Sequence, residues 1–176
     1  YDADSWKSLD NIAPVSFNHF QATEYKGYIW VIGAFADNNF PNETPATHIW
    51  MFDPITEKYI QGPKIPDGLD TPNDPAKDRR RGSAGLVVYQ DKFYIVGGNK
   101  LGHNGQFVNY FDEFDPATGS WKIMPDAPRP RDHFHAAVIG DKIYVASGRL
   151  SGGPGGTFAP VIPEVDVYDF GTGAWS

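Results

Sequence analysis

The sequence predicts an all-β chain built from three copies of one four-stranded unit. Two observations carry that expectation. The first is the repetition itself, clearest in the third copy: Arg131-Asp132-His133-Phe134-His135-Ala136-Ala137-Val138, then Asp141 to Gly148, Val165 to Asp169, Thr172 and Trp175. The second copy runs Arg81 to Leu86, Asp91 to Gly98, Phe111 to Asp115, Thr118 and Trp121, and the first runs Phe17 to Ala22, Gly27 to Ala34, Ile49 to Asp53, Thr56 and Tyr59. A self-similar unit of this length is the signature of a solenoid or a propeller. The second observation is that no segment holds a helical period over a helix-sized window.

The copies align without gaps over two intervals. From Phe17, Arg81 and Arg131 it is sixteen residues to Gly33, Gly97 and Ser147, and from Asp53, Asp115 and Asp169 it is six to Tyr59, Trp121 and Trp175. Length varies only after the Gly pair and between one copy and the next. Fixed strands with variable loops describe a repeated sheet.

Within a copy, the first strand is small and apolar, as in Ala136-Ala137-Val138-Ile139, and suits a crowded position. The second, Phe93-Tyr94-Ile95-Val96, is apolar on both faces and requires cover from both sides. Gly97-Gly98 ends that strand where a side chain would intrude or where positive φ is needed. The third, Val165 to Tyr168, carries an acid among apolar residues. An Asp-Pro-x-Thr or Asp-x-x-Thr turn follows, its side chains placed to bond nearby amides. A Trp or Tyr then opens the fourth, outer strand.

The Gly pair, the aromatic residue of the third strand and the Trp opening the fourth make the chain resemble the kelch-repeat proteins. By the Gly pair the copies lie 64 and 50 residues apart. The first copy departs most, with Gly33-Ala34 and Tyr59, and the third has Ser147-Gly148. The resemblance implies a kelch-type β-propeller of four-stranded antiparallel blades, three of them present, at 17–62, 81–126 and 131–176. Residues 1–9, with Trp6, read as the outer strand of a preceding blade. Closed propellers have roughly 4 to 8 blades. The expectation is therefore a sector of a larger ring, completed by further blades of the same protein or by a second copy. Bare apolar faces are expected on both end blades.

A net charge of −7 argues against general nucleic-acid binding. No apolar run approaches the length of a membrane span. The absence of cysteine rules out disulfides within the sequence. Asn42-Glu43-Thr44 is a glycosylation sequon, and the Gly- and Pro-rich composition leans towards an extracellular or cell-surface protein.

The repeat register marks the loops that enter the first strand and leave the second, which share the channel-mouth face of a propeller. The entering positions are Asn18 and His19, Gly82 and Ser83, Asp132 and His133; the leaving positions are Phe35, Asn99 and Arg149. The resemblance implies that peptides or sugars bind there. Candidate ligand-binding residues are Arg149, His133, Asn99, Ser83, His19, Arg131 and Arg81. Arg offers a planar fork to carboxylates and His an adaptable donor or acceptor. Arg79-Arg80-Arg81 otherwise reads as a solvated charge run. The long loops after the Gly pair carry Asp37, Asn38, Asn39, Lys100, His103, Asn104 and Gln106 with Phe40, Phe107 and Phe158, a mixture suited to carbohydrate.

His133 and His135 read as alternating along one strand, facing one side. Neither Cys nor a third-ligand spacing supports zinc, and Asp37-Asn38-Asn39 lacks a calcium-loop pattern. No metal and no cofactor are expected. Copper-radical oxidases resembling galactose oxidase need a Cys-Tyr cross-link that this sequence cannot supply. A sialic-acid-mutarotase-like enzyme would draw on His133, Asp132, Glu164 and Arg149 for proton transfer and carboxylate binding. The reading reached is a non-catalytic module for a protein, peptide or carbohydrate ligand, with a carbohydrate-active enzyme as the alternative.

Overall fold

The computed structural model describes residues 5–10, 12–68 and 77–176. They form three sheets of four antiparallel strands, each hydrogen-bonded in chain order. The first blade holds β1 (Ala22–Tyr25), β2 (Tyr28–Val31), β3 (His48–Asp53) and β4 (Lys58–Lys64). The second holds β5 (Gly85–Tyr89), β6 (Lys92–Val96), β7 (Phe111–Asp115) and β8 (Ser120–Ile123). The third holds β9 (His135–Ile139), β10 (Lys142–Ala146), β11 (Val165–Asp169) and β12 (Ala174–Trp175). Three such blades of four antiparallel strands match the units that the repeats predict.

The turns follow from their residues. The first two strands of each blade join through two-residue hairpins, pairing Tyr25 with Tyr28, Tyr89 with Lys92 and Ile139 with Lys142. Lys26-Gly27 and Gln90-Asp91 take positive φ at both central positions, the twist-matched hairpin geometry. After the third strand an Asp side chain caps the turn. Asp53 Oδ1 accepts from Ile55 N at 2.9 Å, Asp115 Oδ1 from Ala117 N at 2.8 Å, and Asp169 Oδ1 from Gly171 N at 2.8 Å. The ring that opens the fourth strand then faces the third: Tyr59 pairs with Phe52, Trp121 with Phe114 and Trp175 with Tyr168.

The core lies between blades. On the middle blade, Leu86, Phe93, Ile95 and Phe114 pack towards the first blade, against Trp30, Ile32, Ile49 and Ile65. The alternate residues Val87, Tyr94, Val96 and Phe111 pack towards the third, against Phe134, Ala136, Ile143, Val145 and Tyr168. Period-two alternation thus serves two apolar interfaces, as the two-faced β6 sequence requires. Each fully buried large side chain contributes roughly 1.5–3 kcal/mol. The outer blades are covered on one side: Ile29 of the first, and Ile139 and Val165 of the third, stand exposed.

The Gly pair is explained by the neighbouring blade. Gly97 has φ +62, and a Cβ there would lie 2.7 Å from Arg131 O, the carbonyl that accepts from Gly98 N at 2.7 Å. Gln21 joins the inner strands of all three blades. Its Oε1 accepts from Leu86 N at 3.1 Å and Ala136 N at 3.0 Å, and its Nε2 donates to Ala136 O at 2.9 Å.

The stretch 1–9, expected as the outer strand of a preceding blade, pairs with none of the three sheets over its described part. Residues 5–9 form no strand and Trp6 is fully exposed, while residues 1–4 lie outside the described residues. Trp175 fills the fourth-strand position of the third blade, its Nε1 donating to Pro125 O at 2.9 Å. The variable stretch 62–81 is described except for 69–76.

Candidate functional site

The entering and leaving loops meet as the repeat register requires. Asn18 bridges Phe35, Gly82 bridges Asn99 and Asp132 bridges Arg149. The next residue in each entering loop, His19, Ser83 or His133, sits in the left-handed region at φ 45, 55 and 54. That conformation turns each backbone towards the next blade. Ser83 N donates to His19 O at 2.7 Å, and His133 N donates to Ser83 O at 3.1 Å. A chain of main-chain bonds therefore runs around the axis, and the three side chains gather there. It also corrects the expected strand pairing of His133 with His135, because β9 begins only at His135 and His133 belongs to the loop.

Arg81 and Arg131 do not stand on this face. Both are buried inside their blades, where they cap carbonyls at the end of the second strand and bind the acid of the third. Arg81 donates from Nε to Gly97 O at 2.6 Å, from Nη2 to Ile95 O at 2.9 Å and from Nη1 to Asp112 Oδ2 at 2.7 Å. Arg131 donates from Nη1 to Ser147 O at 2.7 Å and to Glu164 O at 3.0 Å, and from Nη2 to Asp166 Oδ2 at 2.6 Å. Their expected role in ligand binding gives way to an internal one, since the blade encloses both guanidiniums and takes up every donor but Arg131 Nε, which has no partner among the described residues. Arg79 and Arg129, two residues earlier, reach the same acids: Arg79 Nε lies 2.9 Å from Asp112 Oδ1, and Arg129 Nη1 pairs with Asp166. Arg79 is thus buried rather than part of a solvated run. In the first blade the matching positions are Phe17 and Trp50, whose rings meet edge to face at 6.1 Å.

Around the axis, His19, His103 and His133 converge. Ring centroids lie 4.4 Å apart for His19 and His133, 4.7 Å for His19 and His103, and 5.1 Å for His103 and His133. His103 comes from a short 3-10 turn, Gly102–Asn104, in the long loop of the middle blade. Its amide donates to Pro41 O at 2.9 Å, which ties that loop to the loop of the first blade. Two buried carboxylates stand behind the rings. Glu43 Oε2 lies 3.1 Å from His103 Nδ1, and Glu43 Oε1 lies 3.5 Å from His19 Nε2 while accepting from Asn18 Nδ2. Gly102 makes room for Glu43, because a Cβ there would fall 2.3 Å from Oε2. Asp132 pairs with His133 Nδ1 and accepts from Ser151 N at 3.0 Å and Ser151 Oγ at 2.6 Å. Ser151 is wholly buried, so the contact among Asp132, His133 and Ser151 presents no nucleophile.

Burial is the main cause that lowers the His19 pKa to about 4, and the imidazoles of His133 and His103 add to it. His19 is consequently neutral at pH 7. Next to the rings lies a cavity of about 270 Å³, lined by His19, Phe20, Ser83, Ala84, His133, Phe134 and His135. Two polar atoms of its lining residues, Ser83 Oγ and His133 Nε2, are buried with no hydrogen-bond partner among the described residues.

Arg149 is half committed. Its Nε donates to Ser151 Oγ at 2.9 Å and its guanidinium lies 5.0 Å from the centre of the Phe158 ring, while its terminal nitrogens bond no other group among the described residues. Asn99 is fully buried; its Oδ1 accepts from Leu101 N at 3.2 Å and its Nδ2 has no partner among the described residues. Glu164, grouped by sequence with His133 and Arg149, pairs instead with Arg129 at 3.8 Å. Phe40 and Phe158 stand exposed on either loop, 5.2 and 5.8 Å from the His103 ring. Sequence reasoning missed Glu43 as a site residue and missed that His103 joins His19 and His133. Both lie in loops of variable length, where the repeat offers no register.

Comparison with known proteins agrees with the architecture. The family model described as Kelch motif matches residues 80–128. Kelch-like protein terF of Aspergillus terreus is 29% identical over 145 residues, covering 79% of this chain and 29% of that protein. Kelch-like protein 25 of Xenopus tropicalis is 23% identical over 149 residues, covering 82% and 23%. Kelch-like protein 40a of Danio rerio is 34% identical over 67 residues, covering 36% and 11%. The chain thus spans less than a third of these relatives. The solved structure titled "Structure of YjhT" superposes with a TM-score of 0.71 at 15% identity, over 98% of this chain and 54% of that one, a likeness of fold.

Proposed function

The chain is built of kelch repeats, and on that premise we propose that its channel-mouth face is a non-catalytic recognition surface for a peptide segment of a partner protein. The observation that carries this reading is the cavity whose lining residues leave Ser83 Oγ and His133 Nε2 buried and unpartnered. An unmet buried polar group costs about 1–3 kcal/mol, which a ligand that supplies the missing bond returns as affinity. Arg149 stands beside them, its terminal nitrogens able to meet a carboxylate as a charge-assisted pair. Phe40 and Phe158 add apolar anchors at the rim. The exposed rings also favour a second reading, a carbohydrate stacked on Phe40 or Phe158.

The test is selection of a displayed random-peptide library on this chain, followed by fluorescence anisotropy with the selected peptide. Ser83→Ala and Arg149→Ala are each expected to weaken binding about 5- to 15-fold, the equivalent of one net hydrogen bond. Binding unchanged in both variants would place the ligand elsewhere. A glycan array run in parallel, positive where the peptide library yields nothing, would transfer the site to carbohydrate.

A further inference from the structure

We propose that His19, His103 and His133 form a binding site for one divalent transition-metal ion of the zinc class, on the axis where the three blades meet. One ring nitrogen of each lies within 4.8 Å of those of the other two. Tetrahedral zinc with bonds of about 2.0–2.1 Å holds its ligand nitrogens roughly 3.4 Å apart. Each ring therefore closes by about 1 Å or less on binding, a side-chain adjustment that leaves the strands in place.

Two features distinguish this from a chance meeting of imidazoles. The first is the carboxylate behind each ring. A metal-ligating histidine almost always presents its other nitrogen to a carboxylate, a carbonyl or a water, which fixes its tautomer and raises its basicity. Glu43 does this for His103 and Asp132 for His133, each through Nδ1, and both acids are fully buried. That leaves Nε2 of these two rings as the ligating atom. Glu43 also stands 3.5 Å from His19. The two carboxylates balance a dication that three neutral imidazoles alone would not.

The second feature is that Nε2 of His133 is buried and has no hydrogen-bond partner among the described residues. Buried polar atoms without a partner are rare, and each one calls for an explanation such as an ion. A metal supplies the missing acceptor for that lone pair.

The donor set selects the class of ion. Imidazole suits zinc, copper, nickel and iron, whereas calcium and magnesium need oxygen ligands. Three protein ligands leave a fourth position, and the cavity lined by His19 and His133 gives it access to a water or an anionic group. The site is also preorganised. Main-chain bonds through Ser83 hold His19 and His133, and the bond from His103 N to Pro41 O holds the third ring. Each blade supplies one ligand, so the ion clasps all three. The inference does not require the peptide reading, because the ion is expected to bind with no peptide present; with His133 Nε2 taken by the ion, Ser83 Oγ is the unmet group left for a peptide.

The test is titration of zinc into the chelator-treated chain by calorimetry, and of cobalt(II) with its visible d–d absorption as the readout. One ion per chain at micromolar affinity or tighter is expected, with zinc displacing cobalt. His103→Ala and His103→Asn, each verified as folded by circular dichroism, are expected to weaken binding by roughly 100-fold or more, as is His19→Ala. His48→Ala, on β3 and outside the trio, leaves binding unchanged. Glu43→Gln keeps the one-to-one stoichiometry and weakens affinity about 10- to 100-fold, as removal of a positioning carboxylate does. Absence of binding by the folded wild-type chain overturns the proposal. So does binding that survives both His103 variants. An unchanged affinity in Glu43→Gln overturns the part assigned to that carboxylate.

Discussion

Replacing Asp112 with Asn should be among the most damaging single changes in the chain, although it alters almost no volume. Asp112 is buried and accepts three charge-assisted bonds: 2.9 and 3.1 Å from Arg79 Nε, and 2.7 Å from Arg81 Nη1. The substitution leaves two buried guanidiniums with no counter-charge at this position. Removing one partner of a buried ion pair costs about 3–5 kcal/mol, a large part of the roughly 5–15 kcal/mol that holds a domain folded. With a urea slope of about 1–3 kcal/mol/M, the unfolding midpoint should fall by about 2 M, followed by circular dichroism and tryptophan fluorescence. Arg81→Met should also destabilise strongly, because it strips Ile95 O and Gly97 O of their donor as well. The double variant should cost about 2 kcal/mol less than the sum of the two, since it removes one of the two guanidiniums that lose their counter-charge, leaving Arg79 alone, and a neutral pair fits in place of Arg81 and Asp112. The first blade shows that it does, with Phe17 and Trp50 in the same places. Additivity of the two changes to within about 0.5 kcal/mol would refute the coupling.

Gln21→Leu should destabilise by about 2 kcal/mol, because Leu86 N, Ala136 N and Ala136 O lose the one amide that joins three inner strands; urea unfolding checks it, and a loss under about 0.5 kcal/mol would remove the bridging role. Glu113 supplies a pH dependence. Burial raises its pKa, but the hydrogen bonds and charge of Lys92 together with the Tyr94 hydroxyl more than offset this, leaving the carboxyl below its ordinary 4.5. A lowered acid stabilises the fold above its unfolded pKa and loses that contribution as pH falls through the folded value. The melting temperature should therefore decline as pH falls from about 4.5, and the decline should be shallower in Glu113→Gln. Equal slopes in the two proteins would exclude Glu113 as its source.

The blades were legible because their signals are local and repeated. The two-faced run Phe93 to Val96 required two neighbours and has them, and Asp53, Asp115 and Asp169 cap the turns they were expected to cap. Register also brought Asn18, Gly82 and Asp132 opposite Phe35, Asn99 and Arg149. What register could not supply was the direction of a long side chain. Arg81 and Arg131 sit beside the mouth in sequence, yet their guanidiniums fold back beneath the strand ends. One signal was available: wherever Arg opens a copy, an Asp stands second in the third strand, and where Phe17 opens it, Trp50 stands there. Glu43 and His103 offered nothing comparable. Their meeting depends on two loops of unlike length being tied together through Pro41 O, which no repeat records.

At His19, Ser83 and His133 the main chain joins the blades, so the side chains are released from that duty. Yet the left-handed backbone at these three positions restricts what can replace them. Branched residues such as Val or Ile fit poorly there, whereas Asn, Asp, His and Gly are accommodated. The rim can therefore change its chemistry by single substitutions without loosening the array, but only within a small polar vocabulary. An architecture of this kind diversifies by swapping hydrogen-bonding and ligating groups, and it resists becoming greasy at its own mouth.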